Sequence, residues 1–451
     1  MQRTNWRNED DAVLLVPIFE TGRRFYIVVT VLGLLVLWGV VSYAVQWHLG
    51  LGVTGMNYPV SWAFYIINFV FFIGISHAGT LISAILRLSQ AEWRRPVTRI
   101  AEVITVLVLG IGGMNILIDL GRPDRLLNLF LYGRYQSPLL WDATSITAYL
   151  TASSVYLYIP MIPDIAILRD RVVGGWRKLL YQVLALGWVG TARQHRVLNV
   201  AIAMMAVLVV PVAVSVHTVV SFVFSMTVQP MWHSTIFGPY FVVGAIFSGT
   251  AMLLVIMAIL RKAFHLKDYL QPIHFNYLGL IMLVMVLLWV YFTFAEYLTT
   301  YYGNEPDEMR VFSSKFSGKY APVFWAMVLF NFVIPFPILA LNRTRTITGT
   351  VIASISIIIG MWLERLVIIV PTLANPRLHQ YAQGSYLPSI VEIGIMVGSC
   401  ALFALFYVLF SKLFPIVSIS EVREGRQETM RIIQDRARRY EPGLGRLPAS
   451  E

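Results

Sequence analysis

Cysteine is almost missing from this chain: Cys400 is the single one. One thiol makes no internal disulfide and holds no iron–sulfur cluster. Charge is scarce as well. Asp, Glu, Lys and Arg supply 13% of the residues and hydrophobic residues 57%, where soluble domains carry roughly 25% charged residues. That balance excludes an ordinary soluble domain. No dinucleotide-binding glycine fingerprint is present. The first apolar run begins near Tyr26, is too long for the apolar part of a secretory signal, and lacks a small-residue cleavage site, so no cleavable signal peptide is expected.

What the chain has instead is ten long apolar runs. A helix of about 20 apolar residues crosses a bilayer. The runs predict spans at 26–46, 60–86, 99–119, 139–162, 198–226, 236–260, 273–301, 321–341, 347–371 and 389–413. The formal charge of +11 is no nucleic-acid signature. With the N-terminus inside, most Lys and Arg fall in inner segments, among them Arg23, Arg24, Arg87, Arg94, Arg95, Arg99, Arg343 and Arg345. The positive-inside rule then puts both termini in the cytoplasm.

The organisation expected is an all-α integral membrane protein. Residues 1–25 form a cytoplasmic N-terminal segment and 26–415 the membrane domain. Residues 416–451 form a cytoplasmic, Arg-rich tail, helical to Tyr440 and ended by Pro442, Gly443 and Gly445. An inner connection, 164–197, carries Trp176 and Trp188 and includes an amphipathic stretch suited to the membrane interface. Residues 303–320 read as a charged outer loop. Ser248-Gly249-Thr250 with Ala258-Ile259-Leu260-Arg261 echoes Ala78-Gly79-Thr80 with Ala84-Ile85-Leu86-Arg87. The echo predicts two parallel four-helix bundles, spans 2–5 (about 58–226) and 6–9 (about 236–371), with flanking helices. Gly110, Gly112, Gly113, Gly244 and Gly249 read as close-packing positions.

Ionisable residues inside the spans are the functional clue, because a charge in hydrocarbon costs several kcal/mol. His77 lies near the middle of span two. It serves either as a hydrogen bond between helices or as a proton acceptor, and an imidazole suits quinol oxidation because it takes a hydroxyl proton near neutral pH. Asp119 ends span three within Asp119-Leu120-Gly121-Arg122-Pro123-Asp124-Arg125. Arg122, three residues on, is placed to pair with it. Asp142 opens span four after Ser137-Pro138 and Trp141, at the same outer depth. Each also has a bland reading, as an interfacial ion pair or a helix N-terminal acid. In the second half His217, Glu296, Glu364, Arg365 and Glu392 form a further set, either an ion-pair network or a proton path. Glu364 and Arg365 are adjacent, about 100° apart on the helix, and do not face one partner together.

Counting residues from the span middles puts His77 and His217 roughly 15 Å apart along the membrane normal at 1.5 Å per residue. That offset argues against a haem held between them. Electron chemistry then requires an organic two-electron carrier and metal centres on other subunits.

Five segments carry a resemblance. They are Phe71-Phe72-Ile73-Gly74-Ile75-Ser76-His77-Ala78-Gly79-Thr80-Leu81-Ile82-Ser83-Ala84-Ile85-Leu86-Arg87, Ala91-Glu92-Trp93-Arg94-Arg95-Pro96, the Asp119–Arg125 element, Ser137-Pro138-Leu139-Leu140-Trp141-Asp142, and Tyr302-Gly303-Asn304-Glu305-Pro306. On these the chain resembles the NrfD/polysulfide-reductase membrane-subunit family, most closely the ActC-type subunit of bacterial alternative complex III. The resemblance covers nearly all of residues 12–415. It implies a multi-pass subunit of a bacterial inner membrane that binds and oxidises menaquinol or ubiquinol near the outer face. The implied partners are an outer-face iron–sulfur subunit, multihaem c-type cytochrome subunits, a homologous membrane subunit and lipids. No haem, cluster or metal is ligated by this chain itself.

By the same resemblance His77, Asp119, Arg122 and Asp142 form the quinol site, with His77, Asp119 and Asp142 handling protons. His217, Glu296, Glu364 and Arg365 inherit the proton path. Glu296 departs from the family, where glutamine is expected. Alternatives are a sister subunit without a quinol site, a proton channel or transporter without redox function, and an anchor for a peripheral redox module.

Overall fold

The computed structural model describes residues 12–378 and 382–440. Pro442, Gly443 and Gly445, expected to stop the tail helix, lie outside the described residues. Among those described, β structure is limited to one bridge, Asn57 to Val60.

The first half contains α1 (Ala12–Phe19), α2 (Arg23–Leu49), α3 (Phe64–His77), α4 (Ser83–Leu88), α5 (Arg95–Asp119), α6 (Asn128–Leu131), α7 (Pro138–Tyr158), α8 (Ile162–Arg171) and α9 (Trp176–Leu184). Helix α10 (Ala192–Ser225) completes the first half, and the second contains α11 (Phe237–Ala263), α12 (Pro272–Gly303), α13 (Pro306–Phe316), α14 (Ala321–Val328), α15 (Pro335–Ala340), α16 (Ile347–Ala374), α17 (Ile390–Leu413) and α18 (Ile419–Tyr440). Among the described residues, ten stretches are long and apolar enough to span a bilayer: α2, α3–α4, α5 with the turn before it, α7–α8, α10, α11, α12, α14–α15, α16 and α17.

Most ends fall within a few residues of the hydropathy limits, and three do not; the third stretch already starts at Glu92 rather than 99. The fourth stretch runs on to Arg171 rather than stopping near 162. Pro160 and Pro163 sit in the first turn of a short 3₁₀ turn (Ile159–Met161) and of α8, where a missing N–H costs nothing. The fifth starts at Ala192, because Thr191 and Gln194 make a reciprocal capping box there. Residues 306–316, expected in a loop, form helix α13.

The helices pack around one large apolar core with two small clusters beside it. In the first half α3 lies on α5, α7 on α5 and α10, and α4 on α10. In the second, α11 lies on α12 and α16, α14 and α15 on α16, and α12 on α15. The halves join where α11 packs on α3 and α10, and α16 on α3. Helices α2 and α17 form a pair at the side. They touch so closely at Gly39 and Gly398 that a Cβ on Gly39 would lie 2.8 Å from the Gly398 Cα. Glycine is required at that crossing. Gly110 and Gly113, by contrast, have nothing within 4 Å of a Cβ position, so close packing does not explain them.

One end of the bundle carries α1, the 89–94 and 172–191 connections and α18; it is the tail end. The other carries the 119–137, 226–236 and 375–388 connections and α13; it is the far end. At the tail end Arg99 and Asp164 pair at 2.8 Å, 2% and 0% exposed. Asp164 also accepts from Ser418 Oγ and the Ile419 and Ser420 amides. These bonds satisfy the orphan amides at the start of α18. Next to them Glu421 receives Arg87 at 2.8 Å and Arg94 at 3.0 Å. Burial pushes Glu421 up, but the guanidiniums of Arg87 and Arg94 outweigh it and hold the carboxyl below the ordinary glutamate range.

Candidate functional site

Immediately after His77 the third helix winds into a π turn, Ala78–Ile82. Such bulges insert one residue and free a carbonyl from the ladder. The Ser76 carbonyl accepts from Thr105 Oγ1 at 2.7 Å and Tyr149 Oη at 3.3 Å. The bulge thus brings α3, α5 and α7 together around His77, which is fully buried.

His77 Nε2 lies 2.6 Å from the Ala213 carbonyl of α10. A carbonyl only accepts, so Nε2 carries the hydrogen. In a neutral ring Nδ1 is then the free acceptor, and it has no hydrogen-bond partner. His217, one turn along α10 and 1% exposed, stands against it with ring centroids 3.6 Å apart. Its Nδ1 is also without a partner.

The expected 15 Å offset between these histidines does not exist. Helix α10 overhangs toward the tail end, so its midpoint is not the bilayer midplane. The two rings touch, which leaves no gap for a porphyrin between them. Among the described residues, no set of cysteines and histidines fits a haem or iron–sulfur site.

Beyond His217 the polar groups continue into the second half. Arg365 acts electrostatically on His217, stacks over the Phe241 ring at 4.9 Å and lies 3.0 Å from Glu364. Gly244 makes room for it, since a Cβ there would sit 2.8 Å from the guanidinium. Glu364 accepts from Trp289 Nε1 at 2.6 Å. Glu364 and Arg365 therefore pair with each other while facing different neighbours. Their contact has ion-pair distance but not hydrogen-bond geometry. Toward the far end Tyr240 meets Thr293 at 3.2 Å, and Glu296 accepts from Ser234 at 2.7 Å.

Lys315, in the segment read as a solvated loop, is 3% exposed. Its ammonium lies 5.7 Å from the Tyr297 ring centroid, within the electrostatic reach of Glu296. Burial pulls the Lys315 ammonium down to about 8, partly opposed by Glu296. Charge content alone hid this residue. The one signal available was the run of Val311, Phe312 and Phe316 on its own helix.

The first-half acids are distributed differently. Asp142 is buried on α7, two turns before Tyr149, whose ring is 5.3 Å from His77. One Asp142 oxygen has no partner. Asp119 also keeps an unpartnered oxygen, but it neighbours Glu392 and Tyr65. Glu392 accepts from the Gly55 and Ser389 amides and Tyr386 Oη, so it clamps the far-end loops to α17. The expected Asp119–Arg122 pair is replaced. Arg122 turns outward, 62% exposed, and pairs with Asp124 at 2.9 Å. The tight reversal at Gly121, φ +63°, carries the chain past the helix end before Arg122 can turn back.

Sequence patterning gives no sign of a polar ladder below His77. Thr80 lies 3.4 Å from Ser153, and Ser83 donates to Glu102 at 2.6 Å with Tyr156 3.2 Å away. At the far-end surface His233, Glu305 and Glu308 bring ligand atoms within 4.8 Å of one another. The imidazole pairs with Glu308 at 3.2 Å.

A helical membrane protein with buried acid–base groups at the seam of its two halves is the class these features define. The family model for polysulphide reductase, NrfD, matches residues 52–376, and the chain belongs to that family. It is 25% identical over 435 residues to a putative dimethyl sulfoxide reductase membrane subunit of Halobacterium salinarum, covering 90% of this chain and 95% of the relative. It is 23% identical over 409 residues to a selenate reductase subunit of Mesobacillus selenatarsenatis, covering 86% and 93%. It is 25% identical over 430 residues to an Hdr-like menaquinol oxidoreductase integral membrane subunit of Archaeoglobus fulgidus, covering 90% and 97%.

Proposed function

We propose that this chain is the quinol-binding, quinol-oxidising membrane subunit of a multi-subunit oxidoreductase, of the ActC type found in alternative complex III. The family and the menaquinol oxidoreductase subunit among its relatives support the substrate class. The observation that carries the reading is the buried His77–His217 contact with an unpartnered ring nitrogen on each residue. Oxidation of one quinol releases two electrons and two protons. The electrons leave for an iron–sulfur partner at the far end and pass on to multihaem cytochromes. His77 Nδ1 accepts one hydroxyl proton while Nε2 stays anchored on Ala213. Asp142, with its unpartnered oxygen, takes or relays the second, and Asp119 shares that role at the helix end. Arg122 sets the charge at the mouth of the site.

Two four-helix groups, spans 2–5 and 6–9, meet beside the histidine pair, where Arg365 of span nine reaches His217 of span five. His217, Arg365, Glu364 and Glu296 extend the acid–base chain across that seam and form the proton path. The far end then faces the outside of a bacterial inner membrane and both termini the cytoplasm, as the arginine distribution requires. One arrangement favours the alternative of a proton-conducting or anchoring subunit without its own quinol site: Asp119 neighbours Glu392 and Tyr65 rather than His77, and Arg122 is exposed.

The test is rapid mixing of the intact complex with menaquinol, following haem reduction in the partner subunits. His77→Ala, Asp119→Asn and Asp142→Asn are expected to slow it. Unchanged rates in all three would leave the quinol assignment without support.

A further inference from the structure

A large cleft among the described residues is lined by neither histidine. It has a volume of about 870 Å³ and lies between the α2–α17 pair and the wall formed by α3, α11 and α16. Along α17 it extends from Met396 to Lys412, about 24 Å at 1.5 Å per residue. That exceeds one leaflet of a hydrocarbon core about 30 Å thick. The cleft exists because α2 and α17 pack chiefly on each other. They are tied to the body at their ends, where Gln46 donates to the Ile118 carbonyl and Lys412 donates to the carbonyls of Pro17 and Glu20.

Its polar groups are few and sit toward the tail end. Arg24 is exposed and has no side-chain partner among the described residues. The Lys412 ammonium uses two of its three hydrogens on those carbonyls and lies 4.9 Å from the Phe25 ring centroid, so its charge still faces the rim. Among the described residues no carboxylate lines the cleft. Five residues deeper on α17, about 7.5 Å along the axis, Tyr407 is 7% exposed and its hydroxyl has no hydrogen-bond partner. A cationic rim, a buried donor one and a half turns below it and a long apolar trough match one chemistry. An anionic phosphate meets Arg24 and Lys412, an ester carbonyl meets Tyr407, and acyl chains fill the trough. A neutral quinone ring offers carbonyl acceptors but no negative charge to balance the two cations.

We infer that this cleft is a binding site for an anionic glycerophospholipid that wedges the α2–α17 pair against the rest of the protein. The experiment is native mass spectrometry of the delipidated full chain in detergent, titrated with phosphatidylglycerol, phosphatidylcholine or menaquinone. One phosphatidylglycerol is expected to be retained about tenfold more tightly than phosphatidylcholine. Arg24→Gln with Lys412→Gln abolishes that preference. Tyr407→Phe weakens retention a few-fold, and Cys400→Trp, which fills the trough and leaves the rim intact, removes it. Equal retention of the two phospholipids, retention unchanged by Cys400→Trp, or displacement of the phospholipid by menaquinone would each overturn the inference.

Discussion

The imidazole of His77 on α3 rests against that of His217 on α10, centroids 3.6 Å apart and both rings shut off from solvent. Two bases in contact with one unpartnered nitrogen each behave as a unit: a proton taken by one is felt by the other. Replacing either with phenylalanine is expected to lower quinol-dependent turnover of the complex by about a hundredfold, in the range of general base losses. The double variant is expected to be little worse than the single ones. Fully multiplicative losses in a double-mutant cycle would show that the rings act independently.

Lys315 makes stability depend on pH. Its folded-state pKa, about 8, lies below the unfolded lysine value near 10.4. Between those limits the unfolded chain binds more protons, so stability rises with pH across that window. Below about 8 the burial penalty is present in full, up to about 3 kcal/mol. Thermal unfolding in detergent is expected to shift upward from pH 8 to 10 in the wild type. In Lys315→Met it should be higher at pH 7 and lack that rise.

Asp164 holds the tail helix. Asp164→Ala leaves Arg99 buried without its partner, a loss of about 3–5 kcal/mol. It also strips acceptors from the Ile419 and Ser420 amides. Limited proteolysis is expected to cut near residues 418–421 in the variant and not in the wild type.

Gly398→Leu drives a side chain into the α2 backbone at Gly39. The expected cost is about 1–3 kcal/mol, read as a lower unfolding temperature. Leucine at Gly110, which has open space around it, is the control and should change little.

Hydropathy exposed the spans because lipid imposes one requirement on twenty consecutive residues. It exposed the buried ionisable groups for the same reason: His77, His217, Glu364 and Arg365 stand out against an apolar background. It did not reveal which of them meet. Depth along the normal depends on where a helix begins relative to the bilayer, and α10 starts well before its apolar run. Pairing escapes hydropathy where backbone direction decides it: Arg122 follows a left-handed glycine and turns to Asp124, not Asp119. Lys315 was hidden because a charge in a polar segment reads as solvated until the neighbouring helices are in place.

The π turn after His77 carries one surplus residue, and hydropathy is blind to it. A single deletion anywhere in Ala78–Ile82 would restore regular winding and swing His77 by about 100° relative to Ser83. Relatives without the bulge should therefore align with a one-residue gap inside an otherwise uninterrupted membrane helix, and they would present a different face to the neighbouring half.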